Sequence, residues 1–156
     1  MVSTRLIHQI EDHWEAVTGR VVARIHAMPE LTHLRRWPDS EIREAGRRIF
    51  QNLSHWLLES GKHELMGRYQ EVGRQRCDEG LPLAEALRAF QLMREETYGY
   101  IRDQGFVQTS VELVAEEELG HQLAHFFDLI QYNLAMGYEA RWRELVKQRK
   151  PLVARA

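Results

Sequence analysis

The sequence predicts an all-α protein: a single domain of about five helices, with a bundle or globin-like architecture and a long C-terminal helix. Apolar residues recur every three or four positions along most of the chain, which is the spacing of one helix face. No segment shows the alternation or the β-branched enrichment of a strand. Proline, glycine and capping residues separate the periodic segments and set the helix boundaries.

The first two helices are predicted over residues 3–27 and 39–61. Ser3 is the expected N-cap of the first helix, and Pro29 ends its pattern. The second helix begins at Asp39 or Ser40 and ends at Gly61. The apolar stripes consist of Leu6, Ile10, Trp14, Val17, Val21 and Ile25 in the first helix, and of Ile42, Ala45, Ile49, Leu53, Trp56 and Leu57 in the second.

A sharp joint separates the third and fourth helices, predicted over residues 62–78 and 82–103. Gly80 can adopt the left-handed conformation that ends a helix, and Pro82 suits the first helical position because its missing N–H would be unpaired there. The inner faces are Leu65, Tyr69, Val72 and Cys77 in the third helix, and Leu83, Leu87, Phe90, Met93, Thr97 and Ile101 in the fourth.

The fifth helix is predicted over residues 110–148, far beyond the average of about 11–12 residues. A helix of this length overhangs a compact bundle, and its apolar side chains near the C-terminal end then need a partner. We therefore expect a homodimer. The alternative is a kink near Gly137 that folds the helix back. The predicted dimer-interface residues are Gly120, Leu134, Tyr138, Trp142 and Leu145.

Composition limits the classes of function. The 156 residues suit one domain, and a formal charge of −2 argues against binding a nucleic acid through the whole chain. No apolar run reaches the 18 or so residues needed to cross a bilayer, and the N-terminus lacks the apolar core of a signal peptide. The lone Cys77 allows no internal disulfide. We expect a cytoplasmic protein that binds neither nucleic acid nor membrane.

The basic C-terminal residues leave a second interpretation open. Residues 139–156 hold six Lys or Arg against two Glu. Cations near a helix C-terminus complement its dipole, which is the plainer explanation. Contact with nucleic acid or an acidic membrane is the weaker one, because no aromatic platform accompanies these charges.

Histidines give the sharpest chemical alternative. Of the 8 in the chain, His121 and His125 have the i, i+4 spacing that lets two imidazoles reach one metal. His55 with Glu59 forms a second such pair. The full ligand sets of hemerythrin-like and ferritin-like iron bundles are not present. Haem would need one imidazole in a deep apolar pocket, for which His55 and His125 are the candidates. We expect no cofactor, with iron or haem as the alternative.

No catalytic motif is recognisable. The sequence contains no glycine-rich phosphate loop, no nucleophile elbow and no Cys-x-x-Cys pair, so we expect no enzymatic activity. Cys77 continues an apolar stripe and is expected to be a buried structural thiol. A ligand cavity is predicted at Phe90, Met93, Tyr98, Phe127 and Ile130, for which plain core packing is the alternative.

The joint also carries a family resemblance. Residues 69–101, with Arg74, Arg76, Glu79, Gly80, Pro82, Leu83 and Leu87 in place, resemble the N-terminal sensory domain of RsbR-type stressosome co-antagonists. The same module occurs ahead of histidine-kinase, STAS and helix-turn-helix output domains in bacterial regulators. The resemblance implies a helical input domain that dimerises and passes a signal through its C-terminal helix to an output protein or domain.

On this interpretation residues 1–150 form the sensory and dimerisation domain. Residues 151–156 would be a frayed tail or the start of a linker. The expected function is therefore non-enzymatic signal input in bacteria. The alternative is an oxygen or redox sensor that binds metal or haem through His121, His125 and His55.

Overall fold

The computed structural model describes residues 2–58, 61–105 and 107–155, and these form seven α-helices and one 3-10 turn, without a strand among them. The all-α, single-domain prediction and the long C-terminal helix are confirmed. Within the described residues, every helix is too short or too polar to cross a membrane. The helices are α1 (Val2–Asp12), α2 (Trp14–His26), α3 (Asp39–Phe50), α4 (Leu53–Leu58), α5 (Lys62–Asp78), α6 (Leu83–Asp103) and α7 (Ser110–Arg155), with the 3-10 turn at Leu34–Arg36.

The predicted first helix is two helices, α1 and α2, separated at His13. The backbone of His13 leaves the helical region, at φ −115° and ψ 26°. Its Nδ1 lies 2.8 Å from the carbonyl oxygen of Gln9. The bend places Ile7 and Ile10 of α1 in the core, both with no exposed surface, whereas Trp14 is only partly buried.

The predicted second helix is also two helices, α3 and α4, separated by Gln51 and Asn52. The second of them begins beside a carboxylate from another element. Glu11 of α1 accepts hydrogen bonds from the backbone N–H of Ser54 at 3.0 Å and from its hydroxyl at 2.7 Å. A side chain from a distant part of the chain therefore provides the hydrogen-bond acceptor for an N–H group in the first turn of α4, as a capping residue would.

The joint between α5 and α6 has the predicted form, except that α6 begins one residue later than predicted. Gly80 has φ +76°, and its N–H bonds the carbonyl of Cys77 while the N–H of Leu81 bonds that of Arg76. This pair of bonds is a Schellman motif, and the buried Leu81 supplies its usual apolar contact. Pro82 is the N-cap, so α6 begins at Leu83 rather than at the proline.

Helices α5 and α7 run parallel and form the most extensive contact of the fold. A Cβ added to Gly73 would lie 2.9 Å from the backbone nitrogen of Tyr138, and one added to Gly137 would lie 2.8 Å from the Cα of Gln70. Both distances are shorter than real side chains allow, so only glycine permits this approach. The Gln70 amide also donates to Asn133, which is wholly buried on α7.

Two buried carboxylates connect α6 to earlier parts of the chain. Glu96 accepts hydrogen bonds from Arg20 at 2.8 Å and Arg24 at 2.9 Å, which joins α6 to α2. Glu85 accepts from the backbone N–H groups of His33 at 3.0 Å and Leu34 at 3.1 Å, and its second oxygen lies 2.9 Å from Nδ1 of His33. These carboxylates hold the 3-10 segment and α2 against α6.

Candidate interaction surface and ligand cleft

The exposed side of α7 carries large apolar side chains. Tyr132 is 66% exposed, Met136 44%, Trp142 55% and Val146 42%. Tyr132, Met136 and Val146 lie within about 80° of one another around the helix, and Trp142 borders them. We call these four residues the α7 stripe. An apolar row of this kind is typical of a surface that meets another molecule.

The predicted dimer-interface residues divide between this surface and the core. Trp142 is exposed and Leu145 is half-buried, as an interface at this end of the helix requires. Leu134 has no exposed surface because it packs inside the chain, so its assignment to an interface was wrong. Gly120 lies against one edge of the Tyr98 ring, and Tyr138 lies beside Gly73 of α5. The helix continues through Gly137 without folding back.

Charged pairs fix the last packed turns of α7 to the end of α5. Arg141 donates to Asp78 at 2.6 Å and to Glu144 at 3.0 Å, and Arg74 donates to Glu144 at 2.9 Å. The hydrogen bonds from Arg141 and then from Arg74 lower the pKa of Glu144. Beyond Leu145 the side chains of residues 146–149 are exposed, and the helix continues to Arg155. The remaining ten residues span about 15 Å.

The five residues of the predicted ligand cavity do not share one cavity. Phe90 and Met93 line a small cavity of about 40 Å³ between α2, α3 and α6. Phe127 and Ile130 are core residues with no exposed surface. Tyr98 lies apart from them and lines a larger cleft between α6 and α7. For four of the five residues, the alternative of plain core packing describes the structure.

The cleft at Tyr98 has a volume of about 450 Å³, within the range of small-molecule sites. Helix α6 contributes Arg94, Glu95, Tyr98 and Arg102, and antiparallel α7 contributes Glu117, Gly120, His121, Leu123 and Ala124. Gly120 makes room for the Tyr98 ring, since a Cβ there would lie 2.9 Å from the ring edge. We call this space the α6–α7 cleft.

The candidate metal ligands lie at separate places. His121 lines the α6–α7 cleft, and His125 lines a different depression of about 180 Å³ that is partly walled by Trp56 and Phe126. His55 contacts the edge of Trp56, and its Nε2 is 3.2 Å from Glu64. In residues 2–58, 61–105 and 107–155, no three His, Cys, Asp or Glu side chains are grouped closely enough to hold a metal ion. Glu59 lies outside the described residues.

Cys77 is buried near the end of α5, as the sequence predicted. Burial raises the pKa of its thiol, and the neighbouring charge of Asp78 acts in the same direction. A raised pKa keeps the sulfur protonated at neutral pH, which makes it a poor nucleophile. The arrangement fits a structural thiol.

Two residues of the cleft, Arg94 and Arg102, were not predicted from the sequence, although their spacing carries a signal. With Tyr98 they occupy positions i, i+4 and i+8, so three successive turns of α6 present them on one face.

No protein-family model, curated protein or solved structure matches this chain.

Proposed function

We propose that the chain is a non-enzymatic, cytoplasmic signal-input module of a bacterial regulator, which forms a homodimer through the α7 stripe. The observation that supports this function best is the α7 stripe itself. Tyr132, Met136, Trp142 and Val146 follow one another along a 46-residue helix whose opposite side packs against its own chain. A second copy of α7 would cover these side chains.

The polar neighbours of the stripe are compatible with an interface. Glu139 and Arg143 lie between the apolar residues and form an i, i+4 pair at 3.5 Å. Because the two charges partly neutralise each other, burying the pair in an interface costs less free energy than burying one unpaired charge. Aromatic residues and methionine are enriched at the centres of protein interfaces, and the stripe offers two aromatics and one methionine.

Helix α7 is suited to relay a signal because it is continuous from the bundle to its far end. It contacts α6 at the cleft and α5 along the glycine contact, and it then extends past the last packed turn. A shift of one helix at a subunit interface is a known form of signalling transition. The resemblance of residues 69–101 to RsbR-type sensory domains supports the same function, with a signalling protein or domain as the downstream partner.

Light scattering tests the dimer. We expect a mass of twice the 18.4 kDa chain, and a shift toward monomer when Met136→Glu and Trp142→Glu are combined. Leu113→Glu is the matched control, since Leu113 is 50% exposed on the same helix but lies about 28 Å before the start of the α7 stripe. The control should remain dimeric. A wild-type mass of one chain at every concentration, or an unchanged mass in the double variant, would refute the proposal.

A distance measurement tests the relay. Spin labels at Gln148 in both copies report the separation of the two α7 ends in the dimer. We expect one narrow distance distribution, because a continuous helix fixed by α5 holds its end in one position. A broad distribution in an otherwise dimeric protein would show that the helix ends are uncoupled from the bundle.

A further inference from the structure

The α6–α7 cleft combines an apolar floor with cationic groups at both ends. Tyr98, Leu123 and Ala124 supply apolar surface, and the backbone positions of Arg94 and Arg102 are eight residues apart on α6, about 12 Å along the helix. His121 adds a ring nitrogen from α7. A flat apolar group therefore has a surface to rest on, with charged hydrogen-bond donors within reach.

Arg102 is held in position without a carboxylate partner. Its guanidinium carbon lies over the Tyr98 ring, 5.0 Å from the centroid, and no ion pair of Arg102 occurs within the described part of the chain. Stacking on an aromatic face orients the planar group while leaving its N–H donors unused. Arg94 has Asp128 at 3.9 Å, the outer limit of an ion pair, so it too retains unused donors.

The two carboxylates of the cleft differ in how far they are neutralised. Glu95 receives hydrogen bonds from Arg24 at 3.2 Å and Arg88 at 3.4 Å, both of which lie outside the cleft. Glu117 has no such partner in the residues described. Its uncompensated charge favours an anion with one negative charge over an anion with two.

We infer that the α6–α7 cleft binds a small organic monoanion, a carboxylate carrying an aromatic or alkyl body. The carboxylate would accept hydrogen bonds from Arg102 and the body would lie on Tyr98 and Ala124. Guanidinium groups suit this task because their paired N–H donors match the two oxygens of a carboxylate. That such a ligand is the stimulus rests on the proposed signalling function, whereas its binding does not.

The position of the cleft connects binding to the long helix. One edge of the Tyr98 ring lies against Gly120, so a ligand that moves the ring presses on α7. The turn of α7 that it contacts lies about three turns before the start of the stripe at Tyr132. A ligand in the cleft therefore bears on the same rigid element that carries the proposed dimer surface.

Calorimetry and NMR with 3-phenylpropionate test the inference. We expect saturable binding, with shifted amide signals at Gly99, Gly120 and His121. Binding of the neutral analogue 3-phenylpropionamide and of the dianion phenylsuccinate should be weaker, the amide by about tenfold, since a hydrogen bond to a charged group is lost. Arg102→Gln should weaken the binding of 3-phenylpropionate by a similar factor.

Two further variants separate a site from general attraction. Arg35→Gln removes an exposed arginine remote from the cleft and should leave binding unchanged. Ala124→Leu fills the apolar floor and should abolish binding while the circular dichroism spectrum stays helical. Equal affinity for acid and amide, or binding that persists in both Arg102→Gln and Ala124→Leu, would overturn the inference.

The two proposals fail in different ways. If 3-phenylpropionate does not bind while light scattering gives twice the chain mass, the ligand class is wrong and the dimer stands. If the acid binds a protein that is monomeric at every concentration, the cleft stands and the proposed relay through a dimer does not.

Discussion

Gly73 and Gly137 bring the backbones of α5 and α7 into direct contact. A Cβ on either residue would meet main-chain atoms of the other helix, and main chain cannot move aside as a flexible side chain can. The Gln70–Asn133 hydrogen bond and the ion pairs at Asp78 and Glu144 continue the contact on either side. This contact fixes α7, the helix that carries the α7 stripe and one wall of the α6–α7 cleft.

Alanine at either glycine should therefore destabilise the fold. We expect Gly73→Ala and Gly137→Ala each to lower the free energy of unfolding by about 1–3 kcal/mol or more, because the helices must separate. Gly67→Ala is the control on the same helix, with nothing within 4 Å of its added Cβ. It should stabilise the protein by about 0.4–1 kcal/mol through helix propensity. Urea denaturation measures the free energy of unfolding of all three variants. An unchanged free energy of unfolding in Gly73→Ala would contradict the backbone contact.

The Glu96 carboxylate is expected to matter more than its neighbour Glu95. Breaking a buried ion pair costs about 3–5 kcal/mol, but Arg20 and Arg24 are 34% and 39% exposed and can regain water. We therefore expect Glu96→Gln to cost about 1–3 kcal/mol. Glu95→Gln, at a 40% exposed carboxylate, should cost less than about 0.5 kcal/mol. Equal effects in urea denaturation would show that burial does not distinguish the two sites.

Glu85 should control the order of the 3-10 segment without affecting the helices. Glu85→Ala removes the acceptor of two backbone N–H groups, which we expect to cost about 1–3 kcal/mol. Hydrogen exchange at the Leu34 amide should accelerate while circular dichroism stays the same. Glu79→Ala, at an exposed carboxylate paired with Arg76, is the control. Unchanged exchange at Leu34 would mean that another group holds the segment.

Tyr69 should make the fold sensitive to alkaline pH. Burial raises the pKa of its phenol well above the usual range, and the ring packs edge-on against Phe90 at 5.7 Å. Both states hold the proton below about pH 10, so nothing changes there. Above it the unfolded chain ionises and the folded one does not, so the free energy of unfolding falls by about 1.4 kcal/mol by pH 11. Urea midpoints at pH 8 and 11 should differ less in Tyr69→Phe.

Local signals carried most of the successful sequence predictions. The joint between α5 and α6 was predictable because Gly80 and Pro82 restrict the backbone by their own chemistry. The bend at His13 was not, because Ile10 and Trp14 keep helical spacing across it. Periodicity reports which residues share a face and gives no sign of where a helix changes direction.

Features that depend on how helices pack were beyond the sequence. Glu85 and Glu96 have the spacing of an exposed polar face, and only the approach of other segments buries them. Leu134 was assigned to an interface because α5 could not be placed against it from periodicity alone. Of the cleft residues only Tyr98 was predicted to line a ligand cavity, whereas Gly120 and His121 were predicted for a dimer interface and for a metal site.

The contact at Gly73 and Gly137 also determines how the molecule transmits mechanical force. Because the main chains of α5 and α7 touch there, no layer of flexible side chains lies between them that would let one helix slide along the other. A pull on the carboxyl end of α7 would therefore displace α5 and α7 together, and the strain would fall on the turns that join the pair to the other helices, among them the turn at Gly80 and the one at Gly105.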